Sequence, residues 1–345
     1  MRANVGFTIP VANSGAVTLG LLSTYLLEAH RGDDRLCIEL AKAEPSTQLT
    51  VTLARGSSKP SSETSVLLAS LTDYLFSRSQ ILDELILNSD LLNHLHQHCL
   101  ADGLITRLDA KGFGIIDRAA FYQNGLLWHW RGNRNPVTET WETNDKGVKH
   151  PLRQEQPSGL LYQRYDITSD LLVTFETLDP EKHLDIFHDW MNQPRVAEFW
   201  ELDKSKEELK EYIKTLRADR HSWPVLASLN GEAMGYLEMY WVPEDRLGPY
   251  YECDHWDRGS HVLVGNTNFL GARYSKAWTC ALSHFLYLDD PRTRTLVGEP
   301  RADNKRLLKL LEPASWFFVK EFDFPHKRAA LIQCRRDKFF QKVRL

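Results

Sequence analysis

A few side chains late in the chain have the types and spacing for chemistry. Arg273 and Lys276 lie in the stretch 266–276, NTNFLGARYSK, a glycine-bearing turn between an expected strand at 260–265 and an expected helix from about Tyr274. A helix N-terminus presents free N–H groups and the positive end of the macrodipole, so cations there are unfavourable unless an anion sits opposite. A phosphate would satisfy backbone, dipole and both cations together; a plain turn with solvated cations accounts for the same residues. His261 stands on the short strand just before this turn. Period-2 alternation puts Val262 and Val264 on one face and His261 with Leu263 on the other. A histidine there is suited to orienting or deprotonating a nucleophile, to polarising a carbonyl, or to a hydrogen-bonded structural role. Asp303 ends the turn 299–304, EPRADN, ahead of another expected helix, where it reads either as an N-cap or as a general base.

The loop 242–259 carries Glu244, Asp245, Glu252, Asp254 and Asp257 against Arg246 and Arg258. Such a run is ordinarily a solvated face. Here it is interleaved with Tyr250, Tyr251, His255 and Trp256, which suits a pocket for a cationic, aliphatic amine. Tyr240, Tyr251, Asp254, Trp256 and Asp257 are the candidate acceptor contacts. His94, His96, His98 and Cys99 have ligand-like spacing, but no further acid or cysteine completes a set, and no metal is expected. A G-x-S-x-G nucleophile elbow is absent from the sequence, which removes the serine-hydrolase reading.

The elements that position these residues follow from pattern. In the C-terminal half, strands are expected at 171–177, 223–229, 232–241, 260–265, 295–298, 316–321 and 328–334. Helices are expected at 181–192, 206–218, 274–288 and 304–311. Asn230-Gly231 marks a hairpin, and Asp179-Pro180 a helix start. The order predicts a mixed sheet covered by helices, an α/β (α+β) domain. In the N-terminal half, strands at 36–40 and 49–54, helices at 65–76 and 80–100, and a strand pair at 114–122 and 126–131 are expected. Nothing there has the look of a reaction site.

The 345 residues are 42% hydrophobic and 26% charged, enough for two domains with real cores. The polar, proline-bearing stretch 138–159 reads as a connection, giving domains 1–165 and 166–345. A net charge of −4 argues against a nucleic-acid binder. Five scattered cysteines without a C-x-x-C pair indicate reduced thiols. No apolar run approaches the length of a membrane span, so a cytoplasmic protein without membrane contact is expected. Oligomeric state, including a homo-oligomer, stays open.

The glycine turn opening a helix after the fourth strand of the C-terminal half resembles the GNAT acyltransferase superfamily. Four stretches narrow the likeness: 236–251 (YLEMYWVPEDRLGPYY), 258–265 (RGSHVLVG), 269–273 (FLGAR), and 288–293 (LDDPRT) with 298–304 (GEPRADN). These are similar to siderophore-biosynthesis N-acyltransferases of the aerobactin type, which acylate the hydroxylamine nitrogen of N-epsilon-hydroxylysine or a related hydroxylated diamine. The resemblance covers about half the chain, from Leu171 onward. It implies acetyl-CoA or succinyl-CoA as co-substrate, acetyl being expected, and a small hydroxylamine acceptor. It further implies His261 and Asp303 as catalytic residues, Gly271, Ala272, Arg273, Tyr274, Ser275 and Lys276 at the pyrophosphate, and Asn304 on the pantetheine arm. The superfamily turn is richer in glycine; here Arg273 takes a position usually held by a small residue. Another cationic amine acceptor, or an acyl-CoA-binding module without turnover, are the alternatives. The N-terminal domain reads as mixed α/β and is open to being a degenerate copy of the same fold, a lid or a dimer surface.

Overall fold

The computed structural model describes residues 5–12, 15–131 and 138–345. They form two compact units. One holds Met1–Arg134, Gln163–Leu171 and Phe340–Leu345; the other holds Asn135–Tyr162 and Leu172–Phe339. The units are interleaved, whereas the sequence reading places one cut after residue 165. Residues 138–159, read as a connection, belong to the second unit.

The first unit contains β1 (Val5–Val11), β2 (Gly15–Ser23), β3 (Leu26–Arg31), β4 (Asp34–Lys42), β5 (Gln48–Leu53), α1 (Thr64–Arg78), β6 (Glu84–Leu87), α2 (Ser89–Ala101), β7 (Arg107–Leu108), β8 (Gly114–Asp117) and α3 (Arg118–Phe121). Two expectations are corrected here. The helix expected at 80–100 splits, because the Asn88 side chain accepts from Leu91 N–H and starts α2 afresh after a short strand. The strand pair expected at 114–131 reduces to β8. Asp117 caps α3 through Ala120 N–H, and Asn124 accepts from Leu126 N–H in a side-chain turn that replaces the hairpin.

Next come β9 (Trp141–Thr143), β10 (Lys149–Pro151), β11 (Leu160–Asp166), β12 (Leu171–Thr177), α4 (Pro180–Met191), α5 (Pro194–Trp200), α6 (Lys206–Ala218), β13 (Ser222–Leu229), β14 (Glu232–Trp241), β15 (Arg258–Val264), α7 (Ala272–Asp289), β16 (Thr295–Gly298), α8 (Lys305–Leu311), β17 (Trp316–Asp323), β18 (Arg328–Arg335) and α9 (Arg336–Lys342). Local chemistry explains the boundaries. Asp179 caps α4 with Pro180 in its first turn, and Ser205 with Glu208 forms a capping box on α6. Asn230 and Gly231 both take positive φ, as the tight β13–β14 hairpin requires. Helices α4 and α6 lay Phe187, Trp190, Met191, Leu209 and Ile213 on Leu226, Tyr236 and Leu263 of the sheet.

Among the described residues the two large sheets have the same strand order, β1-β2-β3-β4-β5-β6-β8-β7 and β11-β12-β13-β14-β15-β16-β18-β17. In each, an antiparallel run ends in a parallel pair, β5 with β6 and β15 with β16, joined through α1 and α7 respectively. An antiparallel β6–β8 or β16–β18 pair follows, with β7 or β17 as the edge strand. The first unit therefore repeats the topology of the second. It differs between its second and third strands, where a tight turn replaces the α4–α6 layer.

Candidate active site

Strands β15 and β16 pair at Arg258↔Leu296 and Gly259↔Val297 and then part. Beyond that point β15 continues to Val264 while β16 ends at Gly298. The register of β14 on β15 leaves alternate residues of β15 facing the gap. Val242 N–H bonds Asp257 O in the same register, so 259, 261 and 263 bond β14 and 260, 262 and 264 face away from it. The Gly259↔Val297 bridge uses Ser260 N–H and Arg195 bonds Val264 O, which leaves the backbone of Val262 turned toward the opening. A cavity of about 730 Å³ occupies the wedge. It is lined by His261, Val262, Glu238 and Glu299 and by Trp278 and Thr279 of α7, with Trp200, Tyr212 and Asn304 around it.

In the cavity lining, His261 is held between two carboxylates. Its Nδ1 lies 3.0 Å from Glu238 Oε2, and its Nε2 lies 3.3 Å from Glu299 Oε1. Glu238 Oε1 also accepts from the hydroxyls of Tyr212 and Tyr236, and Glu299 Oε2 from Tyr240 at 3.0 Å. Burial alone would push the imidazole pKa down, but hydrogen bonds and charge from Glu238 and Glu299 raise it to about 10. Burial likewise disfavours the Glu299 carboxylate, yet His261, Lys327 and Arg246 hold its pKa at about 2. Glu238 is lowered too, burial being outweighed by His261 and the tyrosines. The histidine is thus an imidazolium with both N–H groups committed, and it cannot take a further proton. The groups left to accept one are the carboxylates, of which Glu299 and Glu238 line the cavity. Gly259 makes room for this arrangement: a Cβ there would meet the Tyr240 ring at 2.3–2.5 Å.

Sequence reasoning found His261 and missed Glu238, Glu299 and Tyr212. A signal was present for Glu238, a charge in the strand MGYLEMYW whose neighbours are all buried. A buried carboxylate in such a strand needs a partner.

Helix α7 begins at Gly271, whose φ of 132° excludes side-chain-bearing residues. That position supplies no side-chain cap to the first-turn N–H groups. Ala272, Arg273, Tyr274, Ser275 and Lys276 form the first turn and a half, with the Arg273 guanidinium 5.6 Å from the Tyr274 ring centre. They stand at the end of α7 that follows the open strand edge, as an anion-binding start would. Along the same helix, the indole N–H of Trp278 is buried, lines the cavity, and has no hydrogen-bond partner among the described residues. An orphan donor in this wedge fits a ligand carbonyl such as those of the pantetheine arm. Asn304 lines the cavity and caps α8 through Leu307 N–H.

Asp303 is placed elsewhere. It is exposed, paired with Arg301 at 2.9 Å, and does not line the cavity; the cap expected of it is made by Asn304. The acceptor loop is also reassigned. Asp257 is buried, accepts from the Tyr251 hydroxyl and from Asp254 N–H, and has its pKa raised by burial to about 6. Asp254 accepts from Trp256 N–H. Trp256 lies in a stack in which guanidinium and indole alternate: Arg292, Trp256, Arg153, Trp241, Arg258 and Trp223, at 3.4, 5.1, 4.3, 4.1 and 5.4 Å. Each cation keeps a carboxylate, Arg153 with Glu244, Arg258 with Asp289 and Arg292 with Asp290. The charge and aromatic run read as a pocket is in large part the inside of a folded loop. Of the five expected contacts, Tyr240 belongs to the site, through Glu299. The histidines at 94 and 98 lie on α2, the side chain of His96 falls outside the described residues, and among those described no three potential ligands gather for a metal.

Residues 179–324 match the acetyltransferase (GNAT) domain. A protein named N(6)-hydroxylysine O-acetyltransferase from Escherichia coli is 37% identical over 231 residues, 67% of this chain and 73% of that one. A hydroxyornithine transacylase from Ajellomyces capsulatus is 40% identical over 201 residues, 57% of this chain and 46% of that one, so less than half of its length is spanned. The crystal structure of an uncharacterized protein from Bacillus halodurans superposes with a TM-score of 0.50 at 27% identity, over 54% of this chain and 95% of that one. With the splayed strands, the uncapped helix start and these likenesses together, the chain belongs to the GNAT acyltransferases, in the group of siderophore-biosynthesis N-acyltransferases.

Proposed function

We propose that the second unit transfers an acetyl group from acetyl-CoA to the hydroxylamine nitrogen of an N-hydroxylated lysine side chain, forming a hydroxamate. The observation that carries this reading is the Glu238–His261–Glu299 cluster at the mouth of the splay. An ordinary lysine amine, with a pKa of about 10.4, must lose a proton before attack. A hydroxylamine nitrogen is neutral at working pH, so positioning and a weak base suffice. A carboxylate held as low as Glu299 is such a weak base.

In this reading the thioester carbonyl lies along the open edge of β15, where the backbone N–H of Val262, the first past the last bridge to β16, faces the developing oxyanion. Nitrogen attacks the carbonyl carbon, Glu299 takes the proton released from nitrogen, and the C–S bond breaks. The proton then passes to the departing CoA thiolate. His261 keeps Glu299 ionised and in place. The first turn of α7, Gly271 to Lys276, is read as the seat of the CoA pyrophosphate, and Trp278 as a donor to the pantetheine arm.

The test is thiol release from acetyl-CoA and succinyl-CoA with hydroxylysine and lysine, followed by ferric complexation of the product. Turnover confined to hydroxylysine with a coloured ferric hydroxamate is expected. Turnover of lysine alone overturns the hydroxylamine assignment, and an O-acyl product without ferric colour overturns N-transfer.

A further inference from the structure

Positive charge gathers on one side of Glu299 in excess of what that carboxylate needs. Its Oε1 is approached by His261 at 3.3 Å, by Arg246 at 3.6 Å and by Lys327 at 3.9 Å. The imidazolium is shared with Glu238 at 3.0 Å, so two carboxylates, Glu238 and Glu299, face three cations, His261, Arg246 and Lys327, with Asp245 acting on Lys327 as a weaker influence. Arg246 and Lys327 stand over the same Phe324 ring, at 5.8 and 5.5 Å, which places both cations on one wall. Both line the cavity, as does Arg301, whose own carboxylate is Asp303. Lys327 is largely buried, and burial with the charge of Arg246 and Arg301 lowers its pKa against the pull of Glu299. Glu299 serves both Lys327 and Arg246 while also bonding His261, so a further anion beside the two cations would complete the group.

We propose that Arg246 and Lys327 form a clamp for the α-carboxylate of an amino-acid acceptor, so that the site selects a hydroxylated amino acid over the corresponding hydroxylated diamine. This rests on the hydroxylamine-acylation reading. The distances allow it: Glu299 Oε1, the proposed base, lies 3.9 Å from Lys327 Nζ and 3.6 Å from Arg246, and a hydrogen bond of about 3 Å at each end lets an acceptor reach from Glu299 to the cations over a span of up to about 10 Å. An extended lysine side chain places its terminal nitrogen roughly 7 Å from its carboxyl carbon, as bonds of about 1.5 Å dictate. The clamp lies by the β17–β18 turn, whereas the phosphate-type site is the start of α7. A carboxylate is therefore favoured over a CoA phosphate.

The experiment compares kcat/KM for N-hydroxylysine and for N-hydroxycadaverine, which lacks the carboxylate, in the natural protein and in Lys327→Gln, Arg246→Gln and Lys327→Arg. A charge-assisted contact predicts a preference for hydroxylysine of roughly 10- to 100-fold, carried by KM, which collapses in the two Gln variants and is largely kept in Lys327→Arg. Equal use of both acceptors by the natural protein overturns the clamp while leaving hydroxylamine acylation intact. An equal loss with both acceptors, or a rise in KM for acetyl-CoA in place of the acceptor, also overturns it. Failure of the natural protein to acylate either hydroxylamine would instead remove the functional reading beneath it.

Discussion

Replacing Glu299 by Gln removes one of the two charges that hold His261 protonated while keeping a side chain of the same shape. The imidazole stands at about 10 against an ordinary 6.5. At 1.36 kcal/mol for each pKa unit, the surroundings favour the imidazolium by about 5 kcal/mol after desolvation is subtracted. The two carboxylates sit at comparable distances, 3.0 and 3.3 Å, so Glu299 supplies at least about 2 kcal/mol of this. In Glu299→Gln the imidazole should therefore titrate at least one unit lower. Proton NMR of the histidine rings against pH reads this directly: the His261 signal of the natural protein should hold still to about pH 9 and move earlier in the variant. The stability linkage has a definite sign. The raised pKa of His261 contributes stability that is complete below about pH 6.5 and is lost as pH rises through about 10. The depressed pKa of Glu299 contributes above about pH 4.5 and is lost as pH falls toward about 2. The variant should lose the Glu299 share of the acid-side dependence, keep that of Glu238, and bring the alkaline loss to lower pH. Its kcat should fall by roughly 10²- to 10⁴-fold if Glu299 is the base. A natural-protein His261 that titrates near its ordinary value would refute the bridging-cation argument, and an unchanged kcat in the folded variant would refute the base.

Gly259→Ala should force the Tyr240 ring off Glu299 and destabilise the second unit by about 1–3 kcal/mol, read as a lower denaturation midpoint together with reduced turnover. Asp303→Asn should change kcat by less than about threefold, because an exposed carboxylate paired with Arg301 does not itself line the cavity; a loss as large as that of Glu299→Gln would restore Asp303 to the mechanism. Arg153→Met strands the buried Glu244 carboxylate and should cost about 3–5 kcal/mol of stability, with the double variant Arg153→Met/Glu244→Gln recovering part of it in urea unfolding.

The catalytic half was legible where local rules decide. Asp179-Pro180, Asn230-Gly231 and the alternation through His261 each name an element whatever else the chain does. Helix α5 was missed because seven residues carry too little periodicity, and β1 to β3 because their spacing is set by pairing with one another. The loop 242–259 misled for a physical reason. Its acids and aromatics look like a pocket until Arg153, ninety residues earlier, is placed between Trp241 and Trp256. No window along the sequence contains that neighbour. Glu299 and His261 are likewise 38 positions apart and meet through the crossover from β15 to β16.

The repeated strand order bears on how this enzyme should be counted. The helix that follows the fifth strand of the first unit starts with Glu63, whose carboxylate is bonded to Arg31 at 2.6 Å; its counterpart α7 starts with a bare glycine. A glutamate paired with Arg31 stands at the first helix start in place of the bare glycine, and the α4–α6 layer, whose Trp200 and Tyr212 line the cavity, has no equivalent there. Acyl-CoA should accordingly saturate at one equivalent per chain. An active-site titration scaled to the number of acyltransferase folds would report half occupancy for a preparation in which every molecule is working.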